Sequence, residues 1–243
     1  MSIPKIIHYC WFGKSELPAE SQGFIDEWKK ICQDYKFIRW DESNYDINKN
    51  RYIKEAYKRK KWAFVSDYVR LDVVNTYGGI YLDVDVQLIK NFDDFLKYKS
   101  FWGIEKNFDN KLFVNNGLGF GAEKNNVILK DLLHLYERYD LDNDDISFIP
   151  CTNYQLDVFC KYGFRQKNII QNLDNNMIFS TQYFSPKNFF GKIKIKKHTV
   201  SIHHFYASWL EKSEIDIAYY RLVNIFGYFI GDRIYQIKKR IWK

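Results

Sequence analysis

Two aspartates one residue apart, Asp83 and Asp85, close the short run Gly79-Ile80-Tyr81-Leu82. In an extended segment alternate side chains share a face, so both carboxylates point the same way while Val84 turns into the protein. Paired carboxylates on one sheet edge make a hard oxygen site suited to Mn²⁺ or Mg²⁺. Such an ion bridges protein carboxylates and phosphate oxygens and takes up charge as a phosphate departs. A second set lies just upstream. Ala63, Asp67, Arg70 and Val74 recur at three- and four-residue steps and share one helix face. There the carboxylate can accept sugar hydroxyls, the guanidinium can hold phosphate in a fixed fork, and the alanine leaves room for a ligand. On this reading Arg70 matters more to a chemical step than to stability.

These groups need elements to carry them. Residues 5–10, after Pro4, read as a buried first strand that Trp11-Phe12-Gly13 leaves at its carboxyl end. Residues 19–31 carry Phe24, Trp28 and Ile31 at helical spacing, and 37–40 form a second strand before the polar loop 41–50. A basic helix over 51–60 and another over 62–77 follow, the latter stopped by Gly78-Gly79. Residues 80–82 are then a strand whose acidic end is the Asp pair. Strand-helix alternation of this kind opens a nucleotide-binding α/β sheet. Further strands are predicted at 101–104, 118–120, 177–179 and 199–202, and helices at 127–139 and 154–159. Asn115 and Asn116, before Gly117, sit in a turn whose amides suit sugar or acceptor hydroxyls, or serve the turn alone. Tyr183 and Phe184 begin an irregular aromatic loop that fits an acceptor cleft or the core equally. His8, inside the first strand, reads as structural.

Composition narrows the partners. Of 243 residues, 46% are hydrophobic and 28% charged, which excludes a disordered chain. Aromatics at 19% suit a large core and sugar stacking alike. A formal charge of +7 favours anionic partners such as a nucleotide or an acidic membrane surface. Cys10, Cys32, Cys151 and Cys160 lack paired metal-ligand spacing and read as reduced thiols. No zinc-finger spacing, RNP-like run or helix-turn-helix pattern supports a nucleic-acid-binding module. A glycoside or nucleotide-sugar hydrolase fits less well than a transferase, because opposed carboxylates flank a scissile bond whereas this pair sits side by side.

The run from Ala63 to Arg70, continued by Tyr77-Gly78-Gly79-Ile80-Tyr81-Leu82-Asp83-Val84-Asp85, resembles the DXD sugar-binding region of glycosyltransferase family 32. That family includes bacterial capsular and lipopolysaccharide sugar transferases, with fungal initiating mannosyltransferases as relatives. Residues 3–13 and 203–209 resemble its terminal signatures. The resemblance implies a GT-A-type α/β fold with a central mixed, mainly parallel sheet flanked by helices. It also implies a nucleotide-sugar donor (UDP-sugar first, GDP-mannose next), a divalent cation, and retention of anomeric configuration. By the same resemblance Trp11 stacks on the donor base, Asp67 and Arg70 hold the donor sugar, and Asp83 contacts ribose or sugar directly or through the metal. Asp85 ligates the metal, and Ser208 and Trp209 lie over the diphosphate. His203 and His204 face opposite sides if extended. The choice for the site and the metal falls on His204, which is nearer Ser208 and Trp209.

The expected organisation is a transferase domain over 1–210 and a basic, amphipathic helical appendage over 211–243. Within 221–243, six basic residues face one acid, interleaved with aliphatic and aromatic side chains. That pattern suits attachment to an anionic membrane surface near a lipid-linked glycan acceptor. The amino terminus shows no export-signal pattern, and no apolar run reaches the ~20 residues of a spanning helix. The expected location is therefore cytoplasmic, peripheral on the inner face of a bacterial cytoplasmic membrane.

Overall fold

The computed structural model describes residues 2–106, 111–137, 151–187 and 193–205. In chain order the elements are β1 (Ile6–Cys10), α1 (Ala19–Ile31), β2 (Lys36–Trp40), α2 (Arg51–Lys58), α3 (Trp62–Tyr77), β3 (Gly79–Tyr81), β4 (Val86–Leu88), β5 (Ser100–Lys106), β6 (Leu112–Asn115) and β7 (Phe120–Ala122). They continue with α4 (Val127–Glu137), α5 (Cys151–Lys161), β8 (Gln171–Leu173), β9 (Asn176–Phe179), α6 (Thr181–Phe184) and β10 (Ser201–His203). The appendage expected over 211–243 lies outside the described residues, as do Ser208 and Trp209. Among the described residues no helix is long and apolar enough to cross a membrane.

The main sheet runs β2-β1-β3-β7-β5-β9-β8, with β6 also pairing with β5. β1 is parallel to both β2 and β3. Beyond β3 the ladders to β7, β5, β6 and β8 are antiparallel, with β5–β9 parallel again. The sheet is thus mixed as expected, but its parallel character is concentrated in the first three strands. Short returns such as that from β8 to β9 leave no room for the helical crossover that parallel strands need.

Strand alternation sorts the core into two faces. Cys10, Tyr81, Trp102, Ile104 and Phe120 pack on the side of α2, α3, α4 and α5. Ile7, Ile80, Leu82 and Phe101 pack on the other, against Ile25 and Trp28 of α1 and Phe184 of α6. α3 lies between sheet and helices and is buried nearly all round from Phe64 to Val74. That burial explains why its sequence is apolar on more than one face. The helix stops at Gly78, whose φ of 69° suits glycine and whose N–H still reaches Val74 O at 2.8 Å. A Cβ on the next residue, Gly79, would stand 2.7 Å from Ile6 O and 2.9 Å from His8 Nε2. Close approach of β1 and β3 therefore requires a glycine there.

Between those strands His8 is fully buried. Its Nδ1 accepts from Trp40 Nε1 at 3.0 Å and its Nε2 contacts Gly78 O at 2.9 Å. Burial pushes its pKa down from 6.5 to about 4, against the opposing hydrogen bond to Gly78. A neutral ring with its proton on Nε2 satisfies both contacts, so His8 is the structural histidine the sequence suggests. Cys10, Cys32 and Cys160 are free thiols, the first two buried.

Candidate active site

The acidic pair does not alternate along a strand. β3 ends at Tyr81, and residues 83–86 form a turn closed by Val86 N–H to Asp83 O at 3.0 Å. Val84 is half-buried and packs against the core on the α1 side. The turn still brings both carboxylates to one side, because it is pinned at several points. Trp28 Nε1 donates to Val86 O at 2.8 Å, and His204 N–H donates to Asp85 O at 3.0 Å.

β10 pairs antiparallel with β4, setting His203 opposite Val86. This register decides which histidine enters the site, and it corrects the choice of His204. His203 is buried, with Nε2 at 3.3 Å from Asp85 Oδ1 and 3.7 Å from Asp83 Oδ2. His204 turns to the opposite face, stacking on Phe24 at 5.1 Å and meeting Gln87 Oε1 at 3.1 Å. Asp83, Asp85 and His203 offer ligand atoms all within 4.8 Å of one another. Two carboxylates and an imidazole fit Mn²⁺ or Mg²⁺. His203 Nδ1 accepts the Phe205 N–H at 3.2 Å, which leaves the neutral ring's proton on Nε2, toward the carboxylates. Holding a cation through Nε2 requires that proton to move to Nδ1 and the Phe205 amide to turn away.

Arg70 ties α3 to this turn. Nη2 lies 3.0 Å from Asp67 Oδ1 and 3.4 Å from Asp83 Oδ1, while Nη1 donates to Asp83 Oδ2 at 3.4 Å and Asn116 Oδ1 at 3.2 Å. Nε donates to Ser66 O at 3.1 Å, and the guanidinium lies 4.9 Å from the Tyr81 ring centre. With 5% exposure, Arg70 positions the carboxylates rather than offering an open fork to phosphate. That burial departs from the direct donor-binding role expected of it. Burial pushes the Asp83 carboxyl up, but Arg70, His203 and Tyr81 outweigh it and hold it below the ordinary range. The Tyr81 hydroxyl donates to Asp83 Oδ1 at 2.8 Å. Asp67 and half-buried Ala63 lie on the same helix face, as their spacing requires.

The β6–β7 connection forms the opposite wall. Asn115 caps it by accepting Gly117 N–H at 2.7 Å, and its amide donates to Glu105 at the end of β5. Asn116 is wholly buried, accepting from Arg70 and donating to Gln155 Oε1 at 3.2 Å. It supports the site from behind and cannot read an acceptor hydroxyl. Gly117 runs so close to the acidic turn that a Cβ would stand 2.6 Å from Asp83 Oδ2 and 3.2 Å from Arg70 Nη1. The aromatic pair also departs from expectation. Residues 181–184 form α6, and Phe184 is fully buried against Phe101 in space left by the absent Cβ of Gly103. Tyr183 packs on Phe179 at 4.8 Å and His198 at 4.6 Å. Neither residue contacts the carboxylate cluster among the described residues. Trp11 stands half-exposed beyond the carboxyl end of β1, its Nε1 donating to Ser15 O at 2.8 Å.

Glu105, not singled out from the sequence, belongs to this wall. Burial pushes its carboxyl up against the pull of Asn115 and His203. Its signal was a charged residue at the end of an otherwise apolar strand. Tyr81 carried none, because a tyrosine inside a strand reads as core.

Residues 18–102 match a family model described as a glycosyltransferase sugar-binding region containing a DXD motif. An uncharacterized glycosyltransferase of Acanthamoeba polyphaga mimivirus is 34% identical over 100 residues, 39% of this chain and 40% of that protein. Inositol phosphoceramide mannosyltransferase 3 of Schizosaccharomyces pombe is 32% identical over 105 residues, 40% of this chain and 28% of that protein. The match thus spans less than half the length of these relatives. Among solved structures, PaToxG glycosyltransferase superposes with a TM-score of 0.51 at 21% identity, covering 66% of this chain and 70% of its own. At that identity the likeness is one of fold.

Proposed function

We propose that the chain is a DXD-motif glycosyltransferase, a reading supported by the family region matched over residues 18–102, and that it moves a hexose or N-acetylhexosamine from a nucleoside diphosphate sugar to a hydroxyl of a glycan or lipid-linked glycan, with retention of configuration. One observation carries the reading: Asp83, Asp85 and His203 converge beside the Asp67–Arg70 pair at the carboxyl end of β3. A divalent cation held by those three residues would supply positive charge to the diphosphate.

The chain's own groups account for the remaining roles. Arg70 fixes Asp67 and Asp83 in place at the site, and Asp67 accepts hydrogen bonds from the donor sugar. Trp11 stacks on the base, a role its half-exposure past the end of β1 supports. Retention requires the acceptor to enter on the face the diphosphate leaves, and the acceptor proton passes to the departing phosphate oxygen. Preorganised charge at that oxygen lowers the barrier. UDP-sugars are the first donors to test. A mannose donor stands beside them, since the yeast relative is named a mannosyltransferase. A setting in bacterial surface-polysaccharide synthesis, cytoplasmic and held to the inner membrane face through residues 221–243, rests on sequence signatures, and the relatives matched are viral and fungal.

The test is release of nucleoside diphosphate from UDP-glucose, UDP-N-acetylglucosamine and GDP-mannose, with Mn²⁺ and with chelator. Cation-dependent release from one of them is expected, with Asp85→Asn retaining the fold and losing most of the rate. Full activity of both Asp83→Asn and Asp85→Asn at limiting Mn²⁺ would sink the reading.

A further inference from the structure

We propose that the basic, isoleucine-bearing face around α6 docks on an anionic lipid bilayer. From residue 160 to residue 205 the chain has one acidic residue, Asp174, and that one is paired with Lys99 at 2.6 Å. Against it stand eight cations, six of them Arg165, Lys167, Lys187, Lys194, Lys196 and Lys197, the others being Lys192 and Lys161, the latter paired with Asp131 at 2.6 Å. None of the six makes a side-chain ion pair among the described residues. The same two segments carry exposed aliphatic side chains: Ile169 and Ile170 in one, Ile193 and Ile195 in the other, each at least 41% exposed.

Hydrogen bonds bring both segments to α6. Thr181 N–H donates to Asn168 Oδ1 at 2.8 Å, and Asn168 Nδ2 returns a bond to Thr181 Oγ1 at 3.0 Å. On the other side Thr199 Oγ1 donates to Gln182 O at 2.9 Å, and Lys194 N–H donates to Pro186 O at 3.1 Å. Apolar side chains set among cations, with no free acid between them, complement an anionic interface. The lysines attract headgroups while the isoleucines enter the lipid boundary. A polyanion in water would engage the lysines and gain little from the isoleucines, which is why a bilayer is the better match. The face also adjoins the site, since Lys187 Nζ donates to His204 O at 2.9 Å beside His203. A lipid-carried acceptor would then be delivered close to the carboxylates. That link rests on the function proposed above; the docking itself does not.

The experiment is cosedimentation of the full chain with phosphatidylcholine vesicles, with and without phosphatidylglycerol. Two variants are compared, Lys194→Gln/Lys196→Gln/Lys197→Gln and Ile193→Ser/Ile195→Ser, each with its melting temperature measured. The wild type is expected to bind only the anionic vesicles. Each lysine lost should weaken partitioning about fivefold, so the triple variant should fall about a hundredfold. The isoleucine variant should fall about tenfold or more at unchanged charge. Failure of the wild type to bind anionic vesicles would overturn the proposal. Unchanged binding by the triple variant would assign membrane attachment to another part of the chain. Unchanged binding by the isoleucine variant would leave a polyanion surface only. Nucleoside diphosphate release, assayed without vesicles, separates the two conclusions. A chain that docks but releases none would refute the function and leave the docking standing.

Discussion

Replacing Arg70 by alanine tests how the site is held together. The guanidinium stands 3.0 Å from Asp67 and 3.4 Å from Asp83, and all three side chains are largely withdrawn from water. Removing it leaves two carboxylates facing one another without their cation, and orphans the Asn116 amide oxygen as well. Breaking a buried ion pair from one side costs about 3–5 kcal/mol. For a chain of this size that is a fall in Tm of about 6–20 °C. The deficit should depend on pH with a definite sign. With Arg70 present, Asp83 titrates below its ordinary value, so its contribution holds at neutral pH and is lost only as pH falls through that depressed pKa. Without Arg70 only His203 and Tyr81 oppose burial, so the folded-state pKa rises relative to the wild type. The variant then loses less stability than the wild type on acidification, and the deficit shrinks. Urea denaturation of wild type, Arg70→Ala and Arg70→Lys at pH 7.5 and pH 5 measures this. The lysine variant, keeping charge but not the fork, should fall between the others. A deficit under about 1 kcal/mol at pH 7.5, or one that does not shrink at pH 5, would refute the argument.

Three further outcomes follow from single positions. His8, buried and neutral with its pKa pushed down to about 4, must be matched against an unfolded-state value near 6.5. Stability from this residue is constant above that value and declines on acidification from 6.5 toward 4, by about 3 kcal/mol in all. His8→Gln should flatten that slope in urea melts, and an unchanged slope would exclude His8 as its source. Gly117→Ala sets a Cβ 2.6 Å from Asp83 Oδ2 and 3.2 Å from Arg70 Nη1. It should therefore cost about 1–3 kcal/mol in stability and at least about tenfold in cation-dependent donor turnover, and normal turnover would show that Asp83 yields without consequence. Gly23, exposed within α1 with nothing within 4 Å of a built Cβ, is the opposite case. Gly23→Ala should raise stability by about 0.5–1 kcal/mol and leave turnover unchanged, and a loss on melting would contradict it.

The legible parts of this fold were those fixed by local pattern. α1 and α3 begin and end where periodicity and the Gly78-Gly79 stop place them. The Asp67–Arg70 contact follows from helical spacing alone. What could not be read depended on partners distant in sequence. The two histidines alternate as expected, yet only the pairing of β10 with β4 determines that His203 turns inward. Asn116 and Phe184 look like loop residues in sequence, and are buried because Arg70 and Gly103 come to meet them. The strands β4, β6 and β8 are short enough that pairing, not propensity, makes them strands. The acidic pair was recognised for sound chemical reasons, although the carboxylates converge through a turn and not through strand alternation.

β3 is the seam between two kinds of sheet, parallel toward β1 and β2 and antiparallel toward β7. The recognisable family region, residues 18–102, ends just as β5 begins on the antiparallel side. One half carries α3 and the acidic turn. The other, from β5 to β9, is sealed to it by the β3–β7 ladder and by α4 packed on α3, and reaches the acidic turn itself through Asn116 and Gly117. On the function proposed above, a designer wishing to alter what receives the sugar would therefore work at exposed positions of the antiparallel half and leave the faces of β7 and α4 that close the seam as they stand.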